Sequence, residues 1–303
     1  MMRKLGWGLA AAALFGSTLM AGPTAEDHYR HLVATGIYSA NNLYLQTGWY
    51  DVNGDGTGAD PEMSNANFVG SYYFGQIGDT WRPFILGGFG LSKIEQNPST
   101  VGGVSGNLKL DSSYVKLGGG INYNPTPSVG LVLGASGLWM KSDGSYDGSS
   151  VSMKKYFDVD SDTDLYDIFA GMTLHTEMNG YKPYADLTAH YLNIHYDFGL
   201  SDTSGWSADL SAGVYTPVFS YWMDLPVRAQ LFVAGSFLSS NLSDDVLFDN
   251  YYSAGATLLW KIGPALHIDA FKETELAFNL QGTTGDNGLS GWKASVSFNI
   301  AKF

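Results

Sequence analysis

From about residue 40 onward the chain alternates apolar and polar residues in roughly twelve segments. The last is the clearest. Trp292, Ala294, Val296, Phe298 and Ile300 alternate with Lys293, Ser295, Ser297 and Asn299. A period of two puts the sets on opposite faces of a strand. Residues 206–216 repeat the pattern, with Trp206, Ala208, Leu210, Ala212 and Val214 against Ser207, Asp209, Ser211 and Gly213. Residues 252–260 do so with Tyr252, Ala254, Ala256, Leu258 and Trp260, and Tyr166–Leu174 and Leu225–Phe237 behave likewise. Residues 181–198 change phase. Pro183, Ala185, Leu187 and Ala189 hold one face, then Leu192, Ile194, Tyr196 and Phe198. This break predicts a β-bulge near Tyr191.

The connections alternate as well. Long, acidic ones fall near 51–62, 95–107, 142–163, 198–205, 239–250 and 281–290, and short ones near 75–80, 124–128, 177–181, 217–224 and 261–265. Many segments reach about ten residues, longer than the typical soluble strand and enough for a tilted membrane crossing. A soluble sandwich has no reason to sort its loops by length. The pattern predicts an all-β fold, a transmembrane antiparallel up-and-down β-barrel of about twelve strands. Its termini would both be periplasmic, with the long loops outside. Polar faces would line the lumen and apolar faces would meet lipid.

The N-terminus reads differently. Arg3 and Lys4, the apolar run Leu5–Phe15 and the small Ala21 predict a signal peptide over 1–21. No cysteine follows it, so it is not a lipoprotein signal. Residues 22–39 form a short lead segment, periplasmic or lumenal, helical or disordered. Thr24 can cap a helix with Glu26 and Asp27 in its first turn. The barrel would occupy 40–303, with its first strand near Asn41–Tyr50. No later apolar run approaches the length of a spanning helix, so a membrane crossing here needs a closed barrel.

Composition narrows the chemistry. The absence of cysteine removes disulfides, thiolate metal sites and cysteine nucleophiles. The formal charge of −13 loses a further two positive charges with the signal, which excludes nucleic acid as a partner. The 38 glycines and 14% aromatics suit tight turns and interfacial girdles.

Strand count, the short lead, the segment YKPYADLTAHYLNIHYDF and the phenylalanine that ends the chain together resemble the solitary outer-membrane autotransporter-type barrels. That resemblance covers about residues 23–303. It implies a translocator-like barrel without a passenger, placed in the outer membrane of a Gram-negative bacterium. Its partners would be outer-membrane lipid, lipopolysaccharide and the barrel-assembly machinery. Phe303 departs from the pattern, being out of phase with Ile300, Phe298 and Val296.

Three constellations are candidate sites. Asp51, Asn53, Asp55, Gly56 and Glu62 match a calcium-loop spacing, so Asp51, Asn53, Asp55 and Glu62 form a candidate weak Ca2+ site. Gly58 stands where such loops carry an apolar residue, and a solvated hairpin tip is the plainer reading. The run Asp158, Asp160, Asp162 and Asp164 lacks the glycine and closing glutamate. The expected lumen lining is Lys116, Asp167, Lys182, Asp186, His190, Asp209, Arg228, His267, Asp269, Glu273 and Lys293. Cross-lumen ion pairing and a selectivity lining for a small polar solute both fit it. His190 and His195 share a strand, but no nucleophile or zinc motif accompanies them, so the chain is expected not to be an enzyme and to need no cofactor. The expected function is a non-enzymatic, structural or surface-exposed barrel. A porin-like passive channel for small polar solutes is the alternative.

Overall fold

The structure, a computed structural model, describes residues 25–42, 48–51, 61–78, 80–101, 104–149, 151–158, 160–197, 200–246, 248–266 and 274–299. Twelve antiparallel strands close on themselves. They are β1 (Gly48–Asp51), β2 (Glu62–Tyr73), β3 (Trp81–Val101), β4 (Val104–Thr126), β5 (Val129–Gly148) and β6 (Asp160–His175). They continue as β7 (Lys182–Tyr196), β8 (Thr203–Tyr215, prolonged by Ser220–Trp222), β9 (Leu225–Leu238), β10 (Asn250–Lys261), β11 (Glu275–Gly285) and β12 (Ser290–Asn299). Each pairs with its neighbours in sequence, and β1 closes the ring on β12 through Trp49 opposite Trp292. Closure gives every strand two neighbours and leaves no edge.

Connections between strands sort to two ends. The turn end carries tight hairpins. Asn179 and Gly180 both have positive φ (54° and 80°), the two-residue turn that matches strand twist, closed by Met178 against Tyr181. The loop end carries α2 (Val151–Phe157) and α3 (Ser240–Ser243). Two expected loops are largely strand: β3, β4 and β5 run 21, 23 and 20 residues, so much of 95–107 and of 142–163 is paired sheet standing beyond the level of shorter neighbours.

Outward side chains form an exposed apolar belt. On β3 it runs from Trp81 to Leu91 through Ile85 and Phe89. Ten residues make about 33 Å of strand, or about 25 Å of height once tilted, the thickness of a bilayer core. Stacked aromatic pairs mark its borders: Trp49 with Trp292 (4.5 Å) toward the loops, Trp81 with Tyr123 (4.3 Å) and Trp222 with Trp260 (4.3 Å) toward the turns. Above the belt the outer wall is charged, with Lys93 on Glu95, Lys109 on Asp111 and Lys141 on Asp162.

The helix α1 (Ala25–Asn41) lies inside the barrel. Residues 32–42 are buried without exception. Its buried apolar residues Leu32, Val33, Ala34, Ile37, Tyr38 and Ala40 spread around the helix, as in a helix surrounded by a core, and here the core is the lumen. Its start stands at the loop end, where Tyr29 hydrogen-bonds Ser161 and lies edge-on to Phe157 at 5.2 Å. The described N-terminal end is therefore at the loop end, which corrects the expectation of both termini at the turn end. Thr24 lies outside the described residues, as does Phe303. Among the described residues the first strand is Gly48–Asp51, and Asn41, where it was expected to begin, is the last residue of the helix.

The expected bulge near Tyr191 is absent. β7 pairs with β6 and β8 in unbroken register, Tyr191 opposite Ile168 and Trp206. Leu192, Ile194 and Tyr196 are buried in the lumen on the same face as His190, while Tyr191 and His195 are exposed outside. What changes near Tyr191 is the lumen, from polar to apolar.

Candidate functional site

The candidate site is the filled lumen, and it has two storeys. In the upper one, Leu32, Val33, Ile37 and Tyr38 of α1 join a buried cluster with Ile94, Leu108, Leu110, Leu138, Met140, Leu165, Leu192 and Ile194 of the wall. Loop-end residues cover it. Phe157 ends α2, and Leu242, Val246 and Phe248 come from the β9–β10 connection, where Phe248 lies edge-on to Tyr38 at 6.0 Å and to Tyr251 at 5.6 Å. Arg30 pairs with Asp245 at 3.0 Å, and Asp245 accepts from Thr203. Gly36 sits where the helix meets the wall. An added methyl group would touch Ile94 and Met140 at 3.5 and 3.9 Å, so the approach is close without being crowded.

At the foot of α1 the lining turns ionic. Lys116 Nζ donates to the carbonyl of Asn41 at 3.2 Å, placing a cation on the negative end of the helix dipole. Asn41 Nδ2 donates to Asp167 at 3.2 Å and Asn42 Nδ2 lies 3.4 Å from Asp209. His190 bridges the same two carboxylates, with Nδ1 3.0 Å from Asp167 and Nε2 3.5 Å from Asp209. Ser236 donates to Asp209 and stands 3.3 Å from the Tyr38 hydroxyl. Four residues expected in the lumen on β4, β6, β7 and β8 thus meet around two asparagines. Such a buried ionic group is tolerable only because each charge has a partner.

Phe84, Phe169 and Phe232 lie against Gly120, Gly134 and Gly255 of a neighbouring strand, so a side chain at those glycines would displace a ring. Arg228 forks onto Glu275 at 3.0 and 2.9 Å and lies over the Tyr215 ring at 5.1 Å. Asp186 accepts from Ser211 at 3.3 Å, and Gln230 donates to Tyr184 at 2.6 Å.

Of the other expected residues, Lys182 is exposed at the turn end, 3.6 Å from Glu177, and Lys293 is buried facing inward. His267, Asp269 and Glu273 lie outside the described residues. Sequence reasoning missed Asn41, Asn42, Ser236 and Glu275. Glu275 could have been found, because it sits at an inward position of its strand at the turn end, as Arg228 does. The asparagines gave no signal, since their role depends on α1 entering the lumen.

The cation loops read less favourably. Asn53 and Asp55 lie outside the described residues, while Asp51 and Glu62 are opposite each other on β1 and β2, both exposed. Asp160, Asp162 and Asp164 alternate on the outer wall. Among the described residues no group of three or more His, Asp or Glu has metal-binding geometry.

No family model matches the sequence, and no curated protein matches it. Solved structures do match the fold. The β domain of the Bordetella autotransporter BrkA aligns with a TM-score of 0.52 and 12% identity over 84% of this chain and 100% of that one. The translocator domain of autotransporter NalP from Neisseria meningitidis gives 0.53 and 12% over 95% and 96%. The transport unit of AIDA-I from Escherichia coli gives 0.50 and 12% over 89% and 99%. The closed twelve-stranded barrel of this chain is the fold of the autotransporter translocator domains.

Proposed function

We propose that the chain is an integral outer-membrane barrel of autotransporter-translocator type in a Gram-negative bacterium, shut by its own helix and serving a non-enzymatic structural or surface-exposed role. The carrying observation is the burial of every residue from 32 to 42 inside the strand ring. Supporting it, the outer belt matches a bilayer in height, and the charged wall above it suits the headgroup region of lipopolysaccharide. Against catalysis, both nitrogens of His190 face carboxylates, which leaves none to activate a hydroxyl. Against the porin-like reading, α1 occupies the lumen that a solute would need.

Planar-bilayer recording tests this. The intact protein is expected to be almost silent, and a variant lacking residues 25–41 to conduct steadily. Large, solute-blockable conductance from the intact protein would overturn the reading in favour of a channel.

A further inference from the structure

His190 is a lumenal group whose charge can change near neutral pH. A neutral imidazole carries one N–H, so it can donate to one carboxylate while its other nitrogen turns a lone pair toward the second. The imidazolium hydrogen-bonds Asp167 at 3.0 Å and adds a charge contact with Asp209 at 3.5 Å that a neutral ring lacks. The charged groups facing it are Asp167 from β6, Asp209 from β8 and Lys116 from β4, and the uncharged Asn41 and Asn42 approach from α1. With His190 cationic, the group holds two positive and two negative charges. With His190 neutral, one negative charge is left over in a largely buried place. Asp167 is 2% exposed and Asp209 13%.

The same two carboxylates hold the end of the helix through the amides of Asn41 and Asn42. We propose that His190, Asp167, Asp209 and Lys116 form a pH-operated latch that fixes the foot of α1 in the lumen while His190 is protonated and loosens it when that proton leaves. This rests on α1 being the plug. The sign follows from the pair. Both carboxylate contacts call for the charged imidazole, so the hold is present while His190 is protonated and is lost as rising pH removes that proton. Upper-storey contacts such as Ile37 and Tyr38 remain, so the latch governs the lower turn of the helix first.

Hydrogen–deuterium exchange of the α1 amides, corrected for the chemical exchange rate, reads the latch without needing conductance. Full-length protein in detergent would be compared at pH 5.5 and pH 8.5 with His190→Asn and His190→Lys. Loss of a charge-assisted contact predicts about tenfold faster exchange at the higher pH in the native protein. His190→Asn is expected to exchange fast at both pH values and His190→Lys slowly at both. Equal native rates at the two pH values, or an undiminished pH effect in His190→Asn, would overturn the latch. If either variant fails to fold, Asp209→Asn takes its place and must shrink the pH effect. Silence from the helix-deleted barrel would instead overturn the plug and leave the exchange result to judge the latch.

Discussion

Along β7, Lys182, Tyr184, Asp186, Thr188 and His190 face the lumen, while Pro183, Ala185, Leu187, Ala189 and Tyr191 face outward. Beyond His190 the inward set becomes Leu192, Ile194 and Tyr196, and the outward set becomes Asn193 and His195. The same inversion occurs at the same height on β5, where inward Leu138 and Met140 follow Ser136 and outward Lys141 and Asp143 follow Trp139. Within the belt the barrel is built inside out, apolar toward lipid and polar toward the lumen. Above the belt it is built like a soluble protein, apolar within and charged without. The backbone phase never changes. What changes is the solvent on the outer face and the occupant of the inner one. Each storey is stable for a different reason, lipid contact below and helix packing above.

The largest effect that tests this contrast comes from two leucines on one strand. Leu192→Ala removes packing beneath α1 and leaves a cavity, so it should cost about 3–4 kcal/mol. Leu187→Ala loses transfer free energy alone, because lipid closes over the gap, and should cost about 1–2 kcal/mol. Urea unfolding in detergent or lipid measures both. Equal costs would break the distinction between the storeys.

The lower storey should depend on ion pairing. Arg228→Ala and Glu275→Ala are each expected to cost about 1–2 kcal/mol, allowing for water that reaches this pair, and the double variant less than the sum. The same unfolding assay reads the cycle. Fully additive losses would mean that the pair contributes nothing as a pair.

The smallest effect concerns the loop end. If Asp51, Asn53, Asp55 and Glu62 bind calcium, the folded state gains about 0.4 kcal/mol when calcium equals the dissociation constant, expected near a millimolar. A rise in unfolding temperature with calcium that Asp55→Ala abolishes would establish the site. No rise, or an equal rise in both proteins, would leave a solvated hairpin tip.

Much of the barrel was legible from residue order. On β12, Trp292, Ala294 and Val296 face outward and Lys293 inward, as the period of two requires. Loop sorting gave the two ends. The long strands β3 to β5 were harder, because Lys93, Glu95, Asp111 and Asp143 look like loop residues when they are the water-facing side of a sheet that has left the membrane. The phase break on β7 was visible, but a bulge and a change of solvent produce the same letters. Of the ionic group, Lys116, Asp167, His190 and Asp209 could be named as inward residues. Their meeting at 3.0 to 3.5 Å depends on strand register around the ring, which alternation does not encode.

The sequence by itself determined the strands, their faces, the hairpin turns and the antiparallel order, since each follows from interactions between residues close along the chain. Tertiary structure alone decided that α1 lies in the lumen with its start at the loop end. That outcome depends on surfaces more than a hundred residues apart, such as Tyr29 against Ser161 and Asn41 against Asp167, and no local pattern states which face a buried helix will meet.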